Sequence, residues 1–336
     1  MLLRAFAKKS TPLQLIPFLL TGTVMLLWIW RNETVVHVPE ASSSYYRVIA
    51  EWMQTLSQVW VLTFTTSIFV MLGVLLFRLA HGTGVLQRSH QRLTVLFVWL
   101  CLIALPSNFS IHPAAMAMLL FIPAIMEVIR AGKEKRPIQA IFNSGALLSM
   151  ASLIDLPMLL FIPSFFIALL VFRLYKWNYL AVLASGMMLP WVYALTIGWI
   201  TGFWPFSDMH SLAGIYVSGA LFFPALVSAG FLVWDYVLVG VLVLFMAVAF
   251  LSVYSRLGQR LIHVRYTFRV LLWLALPVLP LLSIAGVMVL HYLMVFGFFL
   301  TIVGTNYLAT AKRSVRNELW LWLVTVLVVI GYVTRW

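Results

Sequence analysis

A chain of 336 residues that is 63% hydrophobic and only 9% charged lacks the polar surface of a water-soluble globule, whose charged fraction is about 25%. A mean hydropathy of +1.04, with 14 Trp and 24 Phe, instead suits helices crossing ~30 Å of hydrocarbon, and the apolar runs do not alternate as barrel strands do. The formal charge of +13 does not point to nucleic acid, because the 22 Lys and Arg sit in short clusters between apolar segments, where they orient helices in a membrane.

The basic start MLLRAFAKKSTP runs without a cleavage site into segment one, about Leu13 to Trp30, and reads as a retained signal anchor with Arg4, Lys8 and Lys9 in the cytoplasm. Residues 31–55 then form an outer loop. In it Tyr45, Tyr46, Ile49, Trp52 and Met53 line one side of a helix from about Ser44 to Gln54 that would lie in the interface. Segments two (56–77), three (93–106) and four (114–129) follow, then five (138–154), six (157–172) and seven (178–200). Each inward turn is basic, while the outer turns at 107–113 and 155–156 carry no Lys or Arg.

Two further spans over 212–233 and 237–254 would put Arg256, Arg260, Arg265 and Arg269 outside. The stretch 203–233, broken by Pro205, Gly214, Gly219, Pro224 and Gly230, is therefore read as a re-entrant or outer-interface element. Segments eight (234–254), nine (270–289), ten (291–309) and eleven (319–334) complete an all-α polytopic domain over residues 1–336. Its N-terminus is cytoplasmic, and twelve spans with both termini inside is the rival count. Only Arg31, Arg47 and Arg335 of the 22 basic residues then fall outside, together with six of the nine acids. The hexapeptide MLLFIP recurs at Met118–Pro123 and Met158–Pro163, as would follow if segments three/four and five/six were duplicated hairpins.

An ionisable residue at a helix centre costs about 2.5 to 3.5 kcal/mol on insertion scales, so each one near hydrocarbon needs a reason. The outer set is Arg31, Glu33, His37, Glu40, Arg47, Glu51, His112, Asp155, Asp208, His210, Asp235 and His291. Glu33, His37, Glu40 and Glu51 could supply a general base, a metal ligand or a carboxyl pair sharing a proton, or could simply be solvated. His112 before Pro113, and Asp155 before Pro157, suit helix N-caps. The same two helix starts, with Asn108, could instead face an anion such as a phosphate. Glu127 is placed to pair with Arg130, and the Arg256–Arg269 cluster marks an inner face that could hold anionic headgroups. There is no nucleotide-binding loop, GxSxG, HExxH or Cys/His zinc spacing, and the lone Cys101 cannot form an internal disulfide. No cofactor is identified, and a divalent metal is left open.

The phrases RAFAKKSTPLQLI, NFSIHPAAMAMLLFIPAIMEVIR and RPIQAIFNSGALLSMASLIDLPMLLFIPSFFIALLVFR resemble a family of bacterial polytopic inner-membrane proteins of uncharacterised activity, over about residues 1 to 200. The plan of one anchor, a first outer loop with acids and an interfacial helix, then many spans is similar to that of the type-C membrane glycosyltransferases. This resemblance implies sugar transfer from a polyprenyl phosphate at the outer leaflet, with Glu33 or Glu40 as the catalytic base. Arg31 or Arg47 would pair the phosphate near Asn108, His112 and Asp155. The chain lacks the adjacent acid pair many such enzymes carry in that loop, and no large soluble C-terminal domain is expected. The other two readings are a transporter or flippase for a lipid-linked substrate, with 203–233 as gate, and a non-enzymatic membrane scaffold. All three have membrane lipids as partners.

Overall fold

The computed structural model describes residues 44–82, 112–201, 233–256, 262–278 and 289–310, with single positions between 320 and 330. Among them the regular structure is entirely helical, without a strand. The helices are α1 (Ser44–Gln54), α2 (Gln58–Gly82), α3 (Pro113–Ala131) and α4 (Ile138–Ile154). A 3-10 turn, Leu156–Phe161, leads into α5 (Ile162–Val171), followed by α6 (Trp177–Thr201), α7 (Val233–Ser255), α8 (Ile262–Ala275) and α9 (Val289–Thr310). Segments one and three and residues 203–232 lie outside the described residues.

Three of these helices are long and apolar enough to cross a membrane: Val59–Ala80, Pro113–Ala131 and Trp177–Thr201. Four more apolar helices are shorter, including Ile138–Ile154 and Leu156–Val171. On α6 the exposed Trp177 and Trp199 stand 22 residues apart, about 33 Å along a helix. That spacing suits an indole at each boundary of the hydrocarbon layer.

Two expectations change. The apolar side of α1 is divided: Tyr46, Ala50 and Met53 are fully buried against the protein, whereas Trp52 is 57% exposed. The helix expected over 270–289 begins instead at Ile262 and ends at Ala275. Pro277 accounts for the early end, because its ring displaces the carbonyl four residues back and it has no N–H to offer that carbonyl. The carbonyl in question, Trp273 O, accepts a hydrogen bond from Ser164 Oγ of α5 at 3.0 Å. The break in α8 thus becomes the joint that holds α5 to it.

Helix α3 packs against α2, α4 and α9, while α4 packs on α6, α5 on α8 and α7 on α9. The two copies of MLLFIP take different conformations. Met118–Pro123 runs inside α3, with Pro123 in mid-helix, whereas Met158–Pro163 straddles the 3-10 turn and the first turn of α5. Their matching phenylalanines meet, with the Phe121 and Phe161 ring centroids 4.5 Å apart. Phe165 and Phe298 lie 6.3 and 6.4 Å from Phe121, so aromatic rings fill the centre of the bundle.

Helices α4 and α6 approach closely at glycines. A Cβ on Gly145 would lie 2.6 Å from Leu183 O, and one on Gly186 would run into Phe142 O. Such backbone contact is available only to small residues and is a common way for helices to associate in hydrocarbon. At the end of α5, Leu174 N–H donates to Leu169 O and Arg173 N–H to Leu170 O, both at 2.9 Å. This is the helix-ending pattern that needs a left-handed residue. Arg173 supplies it at φ 63°, the one positive φ outside glycine among the described residues.

Gly145→Leu is expected to lower the thermal stability of the purified chain, with overpacking costing about 1–3 kcal/mol. Gly240→Ala, where an added Cβ meets nothing within 4 Å, should be tolerated. Arg173→Gly should raise stability by about 1 kcal/mol, since the left-handed region costs an L-residue about 1–2 kcal/mol. Thermal unfolding in detergent reads all three.

Candidate functional site

Two of the buried polar residues, His112 and Asp155, lie where α1 packs near the start of α3 and the end of α4. Tyr46, Ala50 and Met53 of α1 form a small cluster with Val61, and Met116 of α3 and Ile154 of α4 pack against it. Met116 lies one turn after His112, and Ile154 immediately precedes Asp155. Tyr45 ties α1 to α6 by donating to Ala194 O at 3.2 Å.

His112 caps α3. It is fully buried and extended at φ −138° and ψ 156°, and its Nδ1 accepts from Ala115 N–H at 3.1 Å. An accepting Nδ1 carries no proton, so the capping imidazole is neutral. Pro113 in the first helical position has no N–H, and Met116 N–H donates to His112 O. Much of the donor set that a helix start could show an anion is therefore engaged within the chain.

Asp155 sits in the same kind of position with a different use. It joins α4 to the 3-10 turn, but its side chain makes no capping hydrogen bond. Its Oδ1 instead accepts from the Tyr292 hydroxyl of α9 at 2.7 Å. Its Oδ2 has no hydrogen-bond partner, and the residue is only 4% exposed. Desolvation pushes its carboxyl well above the usual range, to about 7, and the Tyr292 hydrogen bond offsets only part of that rise. Tyr46 is also fully buried, and its phenol is pushed up first by desolvation and then by the nearby Asp155 charge. A carboxyl, two phenols from distant parts of the chain and a capping imidazole thus occupy one buried region.

A pocket of about 300 Å³ opens beside this region between α4, the 3-10 turn, α5 and α6. Leu148, Met187, Met188, Val192 and Leu195 contribute to an apolar lining. At its edge Trp191 Nε1 donates to Ser152 Oγ at 3.2 Å, and Ser152 Oγ donates to Ser149 O at 2.7 Å. The pocket is suited in size and character to a hydrocarbon chain.

Of the residues singled out by sequence, the structure brings His112 and Asp155 to the same end of the bundle, both closed off from solvent. Arg47 is half-buried on α1, next to Tyr46. Arg31, Glu33, Glu40 and Asn108, with His37, Asp208 and His210, lie outside the described residues. Asp235 and His291 fall in the first turns of α7 and α9. Glu127 meets Arg130 at 3.4 Å, and Arg130 also bonds Glu134 at 2.6 Å. No group of three or more metal-ligating side chains occurs among the described residues. Sequence reasoning missed Tyr292, whose only signal was a hydroxyl at an apolar helix start beside His291. It also gave Tyr46 to the membrane rather than to the protein. Compared with protein-family models, curated proteins and solved structures, the chain matches none significantly.

A buried carboxyl that holds its proton in the folded chain, after the unfolded chain has lost its own, makes stability fall as pH rises. The window runs from about 4 in the unfolded chain to about 7 in the folded one. Thermal melts of the full chain should therefore decline across that window, and Asp155→Asn should remove the slope while still accepting from Tyr292. Tyr292→Phe should cost about 1–3 kcal/mol, by leaving a buried carboxyl without its donor.

Proposed function

We propose that the chain is a multi-pass protein of the bacterial inner membrane, with about eleven spans and a cytoplasmic N-terminus, that acts on a lipid-linked substrate at the outer leaflet. In its finer form the reading is a glycosyltransferase using a polyprenyl-phosphate sugar. Glu33 or Glu40 takes the acceptor proton, and Arg31 or Arg47 pairs the donor phosphate.

The observation that carries the reading is α1. An eleven-residue amphipathic helix lies over the ends of α3 and α4, with Val48 and Trp52 exposed at 51% and 57%. It directly follows the acid-bearing stretch 31–43. A helix of this kind settles at the boundary between headgroups and hydrocarbon, the level at which a polyprenyl phosphate presents its reacting bond. The apolar pocket between α4 and α6 gives a hydrocarbon tail a place beside the same end of the bundle. His112 and Asp155 are closed beneath α1, so they would meet a phosphate only with α1 displaced, and the arginines are the better phosphate partners. The ring-filled centre around Phe121 supports chemistry at one face over movement of a substrate through the bundle.

Replacing Glu33 and Glu40 together by Gln is expected to lower transfer, or complementation of a deletion strain, at least about 10²-fold, the lower bound for losing a general base. Protein level and melting temperature should not change. Full complementation by the double variant would remove both glutamates from the chemistry.

A further inference from the structure

The buried carboxyl of Asp155 has no part in the chemistry above, and α1, the helix that carries Arg47, packs beside it. We propose that α1 is a lid latched by the proton on Asp155: with the proton bound α1 stays seated on α3 and α4, and loss of the proton lifts it and opens the ends of those helices to the aqueous face.

Three features of the geometry lead here. Asp155 is closed in with one oxygen bonded to Tyr292 and the other without a partner, an arrangement that a neutral acid tolerates and a carboxylate does not. An ionised Asp155 needs water, and the short helix α1, whose Tyr46 feels the Asp155 charge, packs on the neighbouring Ile154. The cluster beneath α1, Tyr46, Ala50, Met53 and Val61, is distinct from the main core and meets it through the partly buried Met116 and Ile154, so it can part with little disturbance of the ring-filled centre. Finally, α1 is joined to α2 by the short turn Thr55–Ser57, in which Thr55 and Leu56 N–H groups bond back to Trp52 and Met53 carbonyls. That turn can act as a hinge.

The charged and titratable surroundings agree. Among the described residues, α9 contributes Tyr292 and α1 contributes Tyr46 to the carboxyl. On α1, Arg47 is half-buried and Tyr45 is committed to Ala194. At the α3 start the His112 imidazole is neutral at Nδ1. From α6, Trp191 is engaged with Ser152. No described cation forms an ion pair with Asp155, and the rise in its proton affinity to about 7 follows from desolvation, which places the latch near neutral pH. The latch rests on the proposed transferase only for what would enter beneath the raised helix.

The test is thiol labelling of the full chain, with Cys101 replaced by Ser and Ala50→Cys placed in the buried face of α1, in phospholipid nanodiscs with N-ethylmaleimide as probe. The reading is the ratio of labelling rates with Asp155 and with Asp155→Asn at each pH, which cancels the intrinsic pH dependence of the thiol. The ratio should rise at least about tenfold between pH 5 and pH 8, since opening gains up to tenfold per pH unit while proton loss is linked to it. Met53→Cys should behave alike if Ala50→Cys misfolds. A ratio that stays level for both cysteines overturns the latch. A level ratio combined with inactivity of the Glu33/Glu40 double variant would overturn the latch while leaving the transferase standing.

Discussion

In hydrocarbon no water is present to take a hydrogen bond, so each polar group inside the bundle must find its partner in the chain, and a group left bare costs several kcal/mol. The joints of this protein follow from that constraint. Where Pro277 leaves Trp273 O without its helical donor, Ser164 of another helix supplies one. Where α4 stops, the Asp155 carboxyl receives the Tyr292 hydroxyl from a helix 137 residues away. Trp191 reaches Ser152 across the α4–α6 seam. Several hydroxyls without a distant partner fold back on their own helix, as Thr63, Thr65, Thr66 and Ser67 do in α2 and Thr301 does in α9, whereas the buried hydroxyls of Ser149 and Thr305 do not. Among the described residues the joints named here are specific, and shape complementarity adds to them through small residues at Gly145 and Gly186 and through rings around Phe121.

The described helices were largely legible in the sequence. The stretch from Ser44 to Gln54 carries an amphipathic period, Ile138 to Ile154 is bounded by Pro137 and by Asp155 with Pro157, and Trp177 to Thr201 is an apolar run between polar turns. These are local signals. What misled was also local: the apolar run after Arg269 suggested a helix over 270–289, whereas Arg265 and Tyr266 belong to an amphipathic helix that Pro277 ends early. Periodicity reports that α1 has an apolar side but not whether lipid or protein covers it. The division of that side between Tyr46 and Trp52 is a tertiary fact.

The site shows the same limit more sharply. His112 and Asp155 stand out in sequence for the same reason, a polar residue just before a proline-led helix start. One caps its helix through Nδ1, and the other turns its carboxyl inward to Tyr292. What separates them is the neighbour each meets across the bundle, and no spacing within the chain encodes that neighbour. Tyr292 could be recognised only as an oddity, one hydroxyl among apolar residues. The glutamates that the transferase reading needs lie outside the described residues, so their role rests on chemistry and not on geometry.

Helix α6 is held mostly from one side, by the glycine seam with α4, and only 22% of its spanning window is buried. Its two indole anchors therefore act as a ruler for the bilayer. A bilayer whose hydrocarbon core is thinner than their separation leaves a mismatch that a peripheral helix relieves by tilting. Tilting about the Gly145–Gly186 crossing would carry Ala194, and with it the Tyr45 tether of α1. The thickness of the surrounding lipid is in this way mechanically connected to the seat of the short surface helix.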